Sequence, residues 1–122
     1  MLALLLAIAV QAEARPALPR PAVPARLRTE RLFRDEDYPL EALRYRVRGR
    51  VRYFIVINAA GRVVHCRVTR SSGWQRLDET TCRLIRERAR YEPARDSAGR
   101  PMVDTVVGEV NWRMLEQTAS RP

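Results

Sequence analysis

The chain has few side chains suited to catalysis, and His65 is its single histidine. A hydrolase triad would have to combine His65 and Asp78 with the hydroxyl of Ser71 or Ser72. The sequence has no nucleophile elbow and no glycine-rich oxyanion loop, and strand alternation turns His65 towards solvent. It also has no P-loop, dinucleotide fingerprint or paired-carboxylate motif. We therefore predict a protein that is not an enzyme and has neither catalytic residues nor a cofactor.

The two cysteines, Cys66 and Cys82, are expected on a strand and on a helix that pack together. A Cys66–Cys82 disulfide would join helix to sheet and contribute roughly 3 kcal/mol by closing a loop of about 16 residues. The alternative is two buried thiols that act as small apolar side chains. An even cysteine count in an exported chain favours the disulfide. Two cysteines and one histidine leave a tetrahedral zinc site without a fourth ligand, so no metal site is predicted.

The charge of the chain is strongly positive, because 23 arginines face 14 acidic residues and lysine is absent, which gives a net charge of +9. One interpretation is attraction to anionic partners. The other is a solubilising role, since the arginines are spread along the chain. The sequence has no basic-aromatic RNA motif, so no nucleic-acid partner is expected. The charge alone would fit an arginine-rich structural protein that binds polyanions or the cell envelope and has no role in transport. We keep this function as the alternative to the one that the motifs below imply.

The first residues indicate export. Residues 1–10 form an apolar run of signal-peptide length, shorter than the roughly 20 residues that span a bilayer, and Ala12-Glu13-Ala14 fits a cleavage site. No basic residue precedes the run, so residues 1–14 are either a signal peptide or a truncated anchor. We expect a periplasmic protein, attached to the inner membrane only if its true N-terminus is longer. Residues 15–35, rich in proline and arginine, are expected to be a spacer, and residues 115–122 a tail.

Between them, the hydrophobic periodicity predicts helix, strand, strand, helix, strand. A first helix follows Pro39, buries a stripe of Leu40, Leu43 and Val47, and stops at Gly49. Residues 50–57 and 62–70 alternate with a period of two and form a hairpin, and residues 101–114 form a last strand. A second helix from about 75 to 90 has one face made of Leu77, Thr81, Leu84, Ile85 and Arg88. The fold class is therefore α+β, a small three-stranded antiparallel sheet with two helices packed on one face.

A series of short motifs runs through residues 36–114 in a characteristic order. It consists of Tyr38-Pro39, Ala42, Gly49-x-Val51, Gly61-x-Val63, Val68, Ser71-Ser72-Gly73, Leu77-Asp78, Tyr91-x-Pro93-Ala94 and Gly99-x-Pro101. In this order and spacing, behind a proline-rich segment, the series resembles the C-terminal domain of the TonB energy-transducer family.

The resemblance implies a periplasmic interaction module, associated with TonB-dependent transport, that captures the TonB box of an outer-membrane transporter by strand addition to the last strand. The partner-binding residues it implies are Val103, Thr105, Val106, Val107, Gly108 and Val110. Gly108 either lets another backbone approach or marks a bulge. Pairing of strand edges also makes a homodimer an expected possibility, and a membrane is a partner only if an upstream anchor exists. The proline-rich run within the spacer, residues 15–26, is twelve residues long and reaches at most about 40 Å, so this chain alone is expected to bind rather than to transduce energy.

Overall fold

The structure is a computed structural model that describes residues 19–113. The expected signal peptide or anchor, the first residues of the spacer and the tail lie outside these residues. Within them, no helix has the length and apolarity needed to cross a membrane.

The central sheet has three antiparallel strands. The hairpin strands are β2 (Gly49–Ile57) and β3 (Val63–Arg70), the last strand of the chain is β7 (Asp104–Trp112), and their order is β3-β2-β7. The hairpin turns at Asn58, whose side-chain oxygen accepts hydrogen bonds from the backbone N–H groups of Ala60 and Arg62. Gly61 closes the turn with φ +82°. These observations confirm the α+β class and the three-stranded antiparallel sheet.

The strand β2 buries one face, as its period of two predicts. Its buried side chains are Val51, Tyr53, Ile55 and Ile57. The long helix α2 (Gln75–Arg88) covers this face with four residues of the predicted set, Leu77, Thr81, Leu84 and Ile85, all buried. Trp112 at the end of β7 is also buried, and its indole N–H donates to the Thr81 hydroxyl at 2.9 Å. Because of this bond, the Trp112 ring is buried with its polar N–H paired.

The first helix, α1 (Leu40–Arg44), is shorter than predicted and buries a different side. Ala42 is fully buried, whereas Leu40 is 81% exposed and Leu43 is 39% exposed, so the predicted leucine stripe is wrong. A helix of five residues makes little more than one turn, too short for an i, i+3, i+7 stripe to form. The chain leaves the helix at Arg46, with φ 54°, before Gly49 is reached.

The two cysteines are joined. The Cys66–Cys82 disulfide links β3 to α2 across a Cα–Cα distance of 5.7 Å. It lies inside the core cluster that contains Tyr53, Ile55 and Ile85. The bridge therefore fastens the helix to one edge of the sheet.

The segment before α1 differs from the expected free spacer in the part that the structure describes. We call residues 19–34 the strap. Its strand β1 (Arg26–Leu27) pairs with β4 (Tyr91–Glu92), and Val23 forms a bridge with Arg95. Leu32 is buried in the core. Proline fixes φ near the extended region, which suits this pairing, so the prolines shape a strap rather than release a linker.

The last strand is divided in two. Pro101–Met102 is a short strand, β6, that pairs with β5 (Ala94–Arg95) around the turn at Gly99, whereas β7 starts at Asp104. Val103 lies between them, outside both strands. The Asp104 carboxylate accepts a hydrogen bond of 2.9 Å from the N–H of Ala25, so the strap and the start of β7 are fixed together.

Candidate strand-pairing edge

The sheet has two outer strands, and β3 is poorly suited to pairing with another strand. Its register with β2 shifts at two places, so that Val64 and Thr69 are extra residues of bulges. The guanidinium of Arg86 donates to the carbonyl of Cys66 at 3.1 Å, and so occupies an acceptor on this edge. Bulges and charged side chains are two of the devices that protect sheet edges from pairing.

The outer edge of β7 belongs to a strand without a bulge. Its nine residues pair with β2 in one unbroken register, from Gly49 opposite Trp112 to Ile57 opposite Asp104. Along residues 19–113, no further strand pairs with β7 on its outer side. An edge of this kind presents a row of backbone donors and acceptors to an incoming chain.

The contacts around the sheet determine which residues of β7 point outwards. In an antiparallel ladder, the N–H and C=O of one residue point to the same neighbour, and successive residues alternate. The Cys66 carbonyl points away from β2, because it binds Arg86. Its partner Ile55 therefore points to β7, where it faces Val106. The outward positions of β7 are consequently Thr105, Val107, Glu109 and Asn111.

A second contact agrees with this alternation. The N–H of Thr105 donates to the side chain of Asp104 at 2.8 Å instead of to β2. Thr105 thus has an outward N–H that is already occupied, whereas its C=O is still available to a partner. The residues with both an outward N–H and an outward C=O available are Val107, Glu109 and Asn111.

The alternation divides the residues that the sequence proposed for binding. Thr105 and Val107 have outward backbone groups, whereas those of Val106, Gly108 and Val110 point to β2. Val103 precedes the strand. Glu109 and Asn111 have outward groups and were not proposed. The sequence already divides the residues of β7 into two alternating sets. Only the register with β2 shows which of the two sets has backbone groups that point outwards.

Of the two purposes considered for Gly108, the structure excludes the bulge, and the approach of another backbone stays a prediction. Gly108 lies opposite Tyr53, and the register shows no bulge there. A Cβ at position 108 would lie 2.4 Å from the Cζ and hydroxyl oxygen of Tyr53. The glycine therefore makes room for an aromatic ring from the neighbouring strand, and burial raises the pKa of the Tyr53 hydroxyl.

The side chains beside the outward groups are partly charged. Glu109 lies between two arginines of β2, 3.8 Å from Arg50 and 3.6 Å from Arg52. Val107 is 66% exposed, unusually open for a valine in a strand. The exposed ion pairs contribute little to stability, and so can rearrange when a chain binds beside them.

A concavity lies at each end of the edge. A groove of about 450 Å³ lies between the strap and the start of β7, lined by Pro19, Arg20, Pro21, Met102, Val103, Asp104 and Thr105. A smaller pocket of about 120 Å³ lies at the other end, beside Phe33, Tyr38, Val110 and Trp112. Edges that bind extended peptides combine main-chain hydrogen bonds with pockets for alternate side chains. The β7 edge offers both features.

The residues considered for catalysis serve other purposes. The Asp78 carboxylate accepts hydrogen bonds from the Ser71 hydroxyl and from the N–H and hydroxyl of Ser72, the last at 2.7 Å. These bonds fix the turn between β3 and α2. His65 is exposed in the middle of β3, five residues before the end of that strand. The three residue types are thus not brought together. No group of metal-ligating side chains was found in the part of the chain that the structure describes.

Comparisons with known proteins agree with this architecture. The family model described as "Gram-negative bacterial TonB protein C-terminal" matches residues 35–114. The solution NMR structure of the Pseudomonas aeruginosa TonB CTD superimposes with a TM-score of 0.58 at 20% sequence identity, covering 72% of this chain and 86% of that one. That likeness shows the fold. No curated protein matches the sequence.

Proposed function

The chain belongs to the family of Gram-negative bacterial TonB protein C-terminal domains, and from this we propose that it binds an extended segment of an outer-membrane transporter by strand addition to β7. The observation that carries the proposal is the edge itself. Of the two outer strands, β7 alone has an unbroken register and outward backbone groups on three alternate residues.

Main-chain pairing supplies the affinity in this proposal. Val107, Glu109 and Asn111 each offer one N–H and one C=O, about six hydrogen bonds if the captured segment pairs with all of them. At about 0.5–1.5 kcal/mol each, these bonds are enough for binding in the micromolar to millimolar range after the segment has been ordered. Such binding is reversible and tolerates variation in the bound sequence, as a module that meets several transporters requires.

The two end concavities supply the selectivity. The captured strand lies beside β7, with alternate side chains on the two sides of the sheet. Those on the helix side are directed towards the pocket beside Phe33, Tyr38 and Trp112. Its lining combines these three rings and Val110 with the polar and charged side chains of Arg34, Asp35, Asn111 and Arg113. The other end of the segment reaches the groove beside Pro19 and Pro21. An apolar side chain at each end of a segment of about six or seven residues would fit this spacing.

A titration followed by NMR tests the proposal. The probe is a synthetic peptide that spans the TonB box of an outer-membrane transporter from the same cell. The amides of Val107, Glu109 and Asn111 are expected to shift most, because their N–H groups gain acceptors. The amides of β3, from Val63 to Arg70, are the internal control. Unchanged β7 amides at millimolar peptide, or shifts confined to β3, would refute strand addition at this edge.

The proposal includes a periplasmic location, where the transporter segment is accessible and the Cys66–Cys82 disulfide can form. Cell fractionation combined with N-terminal sequencing of the mature protein tests it. Recovery in the periplasmic or inner-membrane fraction agrees with the proposal, and recovery in the cytoplasm contradicts it. A homodimer paired through β7 is the competing use of the same edge, and it would be detected as a concentration-dependent loss of peptide binding.

A further inference from the structure

The solvent side of the sheet has a concentration of arginine. Opposite the helix, β2 and β3 present a surface that we call the arginine face, made of Arg50, Arg52, Arg67 and Arg70 around the ring of Phe54. The register places Arg52 between Arg70 and Glu109, and Phe54 between Arg67 and Val107. The four guanidinium groups and the ring therefore share one side of the sheet.

Some arginines on the helix side of the sheet have acidic partners of their own. On the helix side, Arg76 pairs with Glu41 at 3.3 Å and Arg83 with Glu87 at 3.6 Å. Arg88 forms a two-pronged pair with Asp37.

On the arginine face, by contrast, Glu109 is the only carboxylate that pairs with these side chains, and it is shared by Arg50 and Arg52. Among residues 19–113, neither Arg67 nor Arg70 pairs with an acidic side chain. This face therefore has four arginines and one paired carboxylate.

The arrangement is unfavourable for the stability of the fold. Arg52 and Arg70 are direct cross-strand partners, and like charges directly opposite each other are destabilising. Arg67 lies over the ring of Phe54, with 5.6 Å between the guanidinium carbon and the ring centroid, and is held against the face. Local arrangements that oppose stability are expected where a surface serves a function.

The surface also has the shape and the donors that phosphate groups require. A concavity of about 350 Å³ is lined by Arg50, Arg52, Arg70, Ser71, Ser72 and Glu109. Guanidinium groups bind phosphate through two parallel hydrogen bonds and are less strongly hydrated than ammonium groups. The carboxylate of Glu109 opposes an anion there, but its two ion pairs are long and exposed, so it neutralises the site only in part.

We infer that the arginine face binds the phosphate headgroups of an anionic lipid membrane. Its positive charge complements such a surface and would repel a second copy of the same face. A three-stranded sheet offers an open surface to a planar partner, and Phe54 and Val107 place apolar groups among the arginines, as an interface of headgroups and acyl chains favours. The outward groups of β7 lie at the side of this face. Lipid binding would therefore leave the edge accessible along the membrane plane.

Flotation of the full chain with lipid vesicles tests this inference. The vesicles are made of phosphatidylcholine, with or without phosphatidylglycerol. The variant R67Q/R70Q removes two charges from the arginine face, and the matched variant R76Q/R83Q removes two from the helix side. We expect binding to need phosphatidylglycerol and to weaken about 10- to 30-fold in R67Q/R70Q, with the matched variant within about threefold of the wild type. Equal losses of vesicle binding in both variants would show that the net charge of the protein alone determines binding, and would overturn the inference.

A second measurement identifies the face directly, whatever contacts residues 1–18 make with lipid. Vesicles with a spin-labelled headgroup should broaden the amide signals of Phe54 and Arg67 more than that of Arg83. The opposite pattern would overturn the inference.

Two further binding measurements distinguish other anions from lipid. Inorganic phosphate that shifts the arginine face in the absence of any vesicle binding would indicate a small-anion site instead. A polyglutamate peptide that binds this face more tightly than vesicles do would indicate an acidic protein partner. Either result contradicts the lipid assignment. None of these measurements involves the TonB-box peptide, so their failure is distinct from a failure of strand addition.

Discussion

The ring of Tyr53 occupies the space that a side chain at position 108 would need. The two residues are cross-strand partners, and a Cβ on Gly108 would lie 2.4 Å from the Tyr53 ring and hydroxyl. This relationship allows β7 to pair with β2 in an unbroken register, because a larger side chain at position 108 would displace the ring or the strand.

Substitution G108A is therefore expected to destabilise the domain by about 1–3 kcal/mol through overpacking. Urea unfolding of the purified protein measures the change. The same substitution in a Tyr53→Val background is the control, and its cost should be much smaller because the clash is gone. An equal cost in both backgrounds would show that the ring is not the cause.

The disulfide is expected to account for a large part of the stability. Cys66 and Cys82 are 16 residues apart, and closing a loop of that size contributes about 3 kcal/mol in the chain-entropy model. The double variant C66A/C82A should lose about that amount in urea unfolding. Added reductant should lower the stability of the wild type and leave the variant unchanged. A loss below about 1 kcal/mol would contradict this role for the bridge.

Acid sensitivity is expected from the pair between Asp37 and Arg88. The hydrogen bond from Arg88 holds the pKa of Asp37 below its usual value, although burial partly opposes this. Because the folded-state pKa is depressed, the pair stabilises the fold above the ordinary carboxyl range near pH 4, and this stabilisation is lost as pH falls through the folded-state value.

The variant D37N should be less stable than the wild type by about 1–3 kcal/mol at pH 7, since Arg88 loses its charged partner and one of its two hydrogen bonds to residue 37. The difference should shrink as the pH is lowered towards about 2. Thermal unfolding of both proteins across this range measures it. A difference that stays constant with pH would show that the pair does not titrate with folding.

Two leucines test whether the strap is part of the folded domain. Leu32 is buried in the core, whereas Leu40 at the start of α1 is 81% exposed. Substitution L32A should cost about 2–4 kcal/mol in urea unfolding, and L40A less than about 0.5 kcal/mol. Equal small effects would mean that the strap is a free spacer after all.

The sequence predicted those parts of the fold that depend on periodicity. The alternation of β2 identified its buried side chains, and the face of α2 was correct from Leu77 to Ile85. Both elements are long enough for their patterns to repeat. The pairing of Cys66 with Cys82 was expected from the even cysteine count of an exported chain, and it joins β3 to α2. The ordered series of short motifs identified the family.

What the sequence missed depends on contacts between distant segments. The strap pairs with residues more than 60 positions later in the chain, and its proline-rich composition does not predict which segment it pairs with. The alternation of β7 was visible, but which set of residues faces outwards depends on the register with β2. The arginines were visible as a composition, but only the pairing of β2 and β3 places Arg52 beside Arg70.

The central claim is tested most directly by one pair of substitutions at Val107. Substitution V107P removes an outward N–H but no ladder bond to β2, and proline is tolerated where its missing N–H would face solvent. Substitution V107A removes most of the side chain and keeps the N–H. Calorimetric titration with the TonB-box peptide should show binding at least about tenfold weaker for V107P, and within about threefold of the wild type for V107A. Wild-type affinity in a folded V107P protein, or equal losses in both variants, would contradict strand addition at the outer edge of β7.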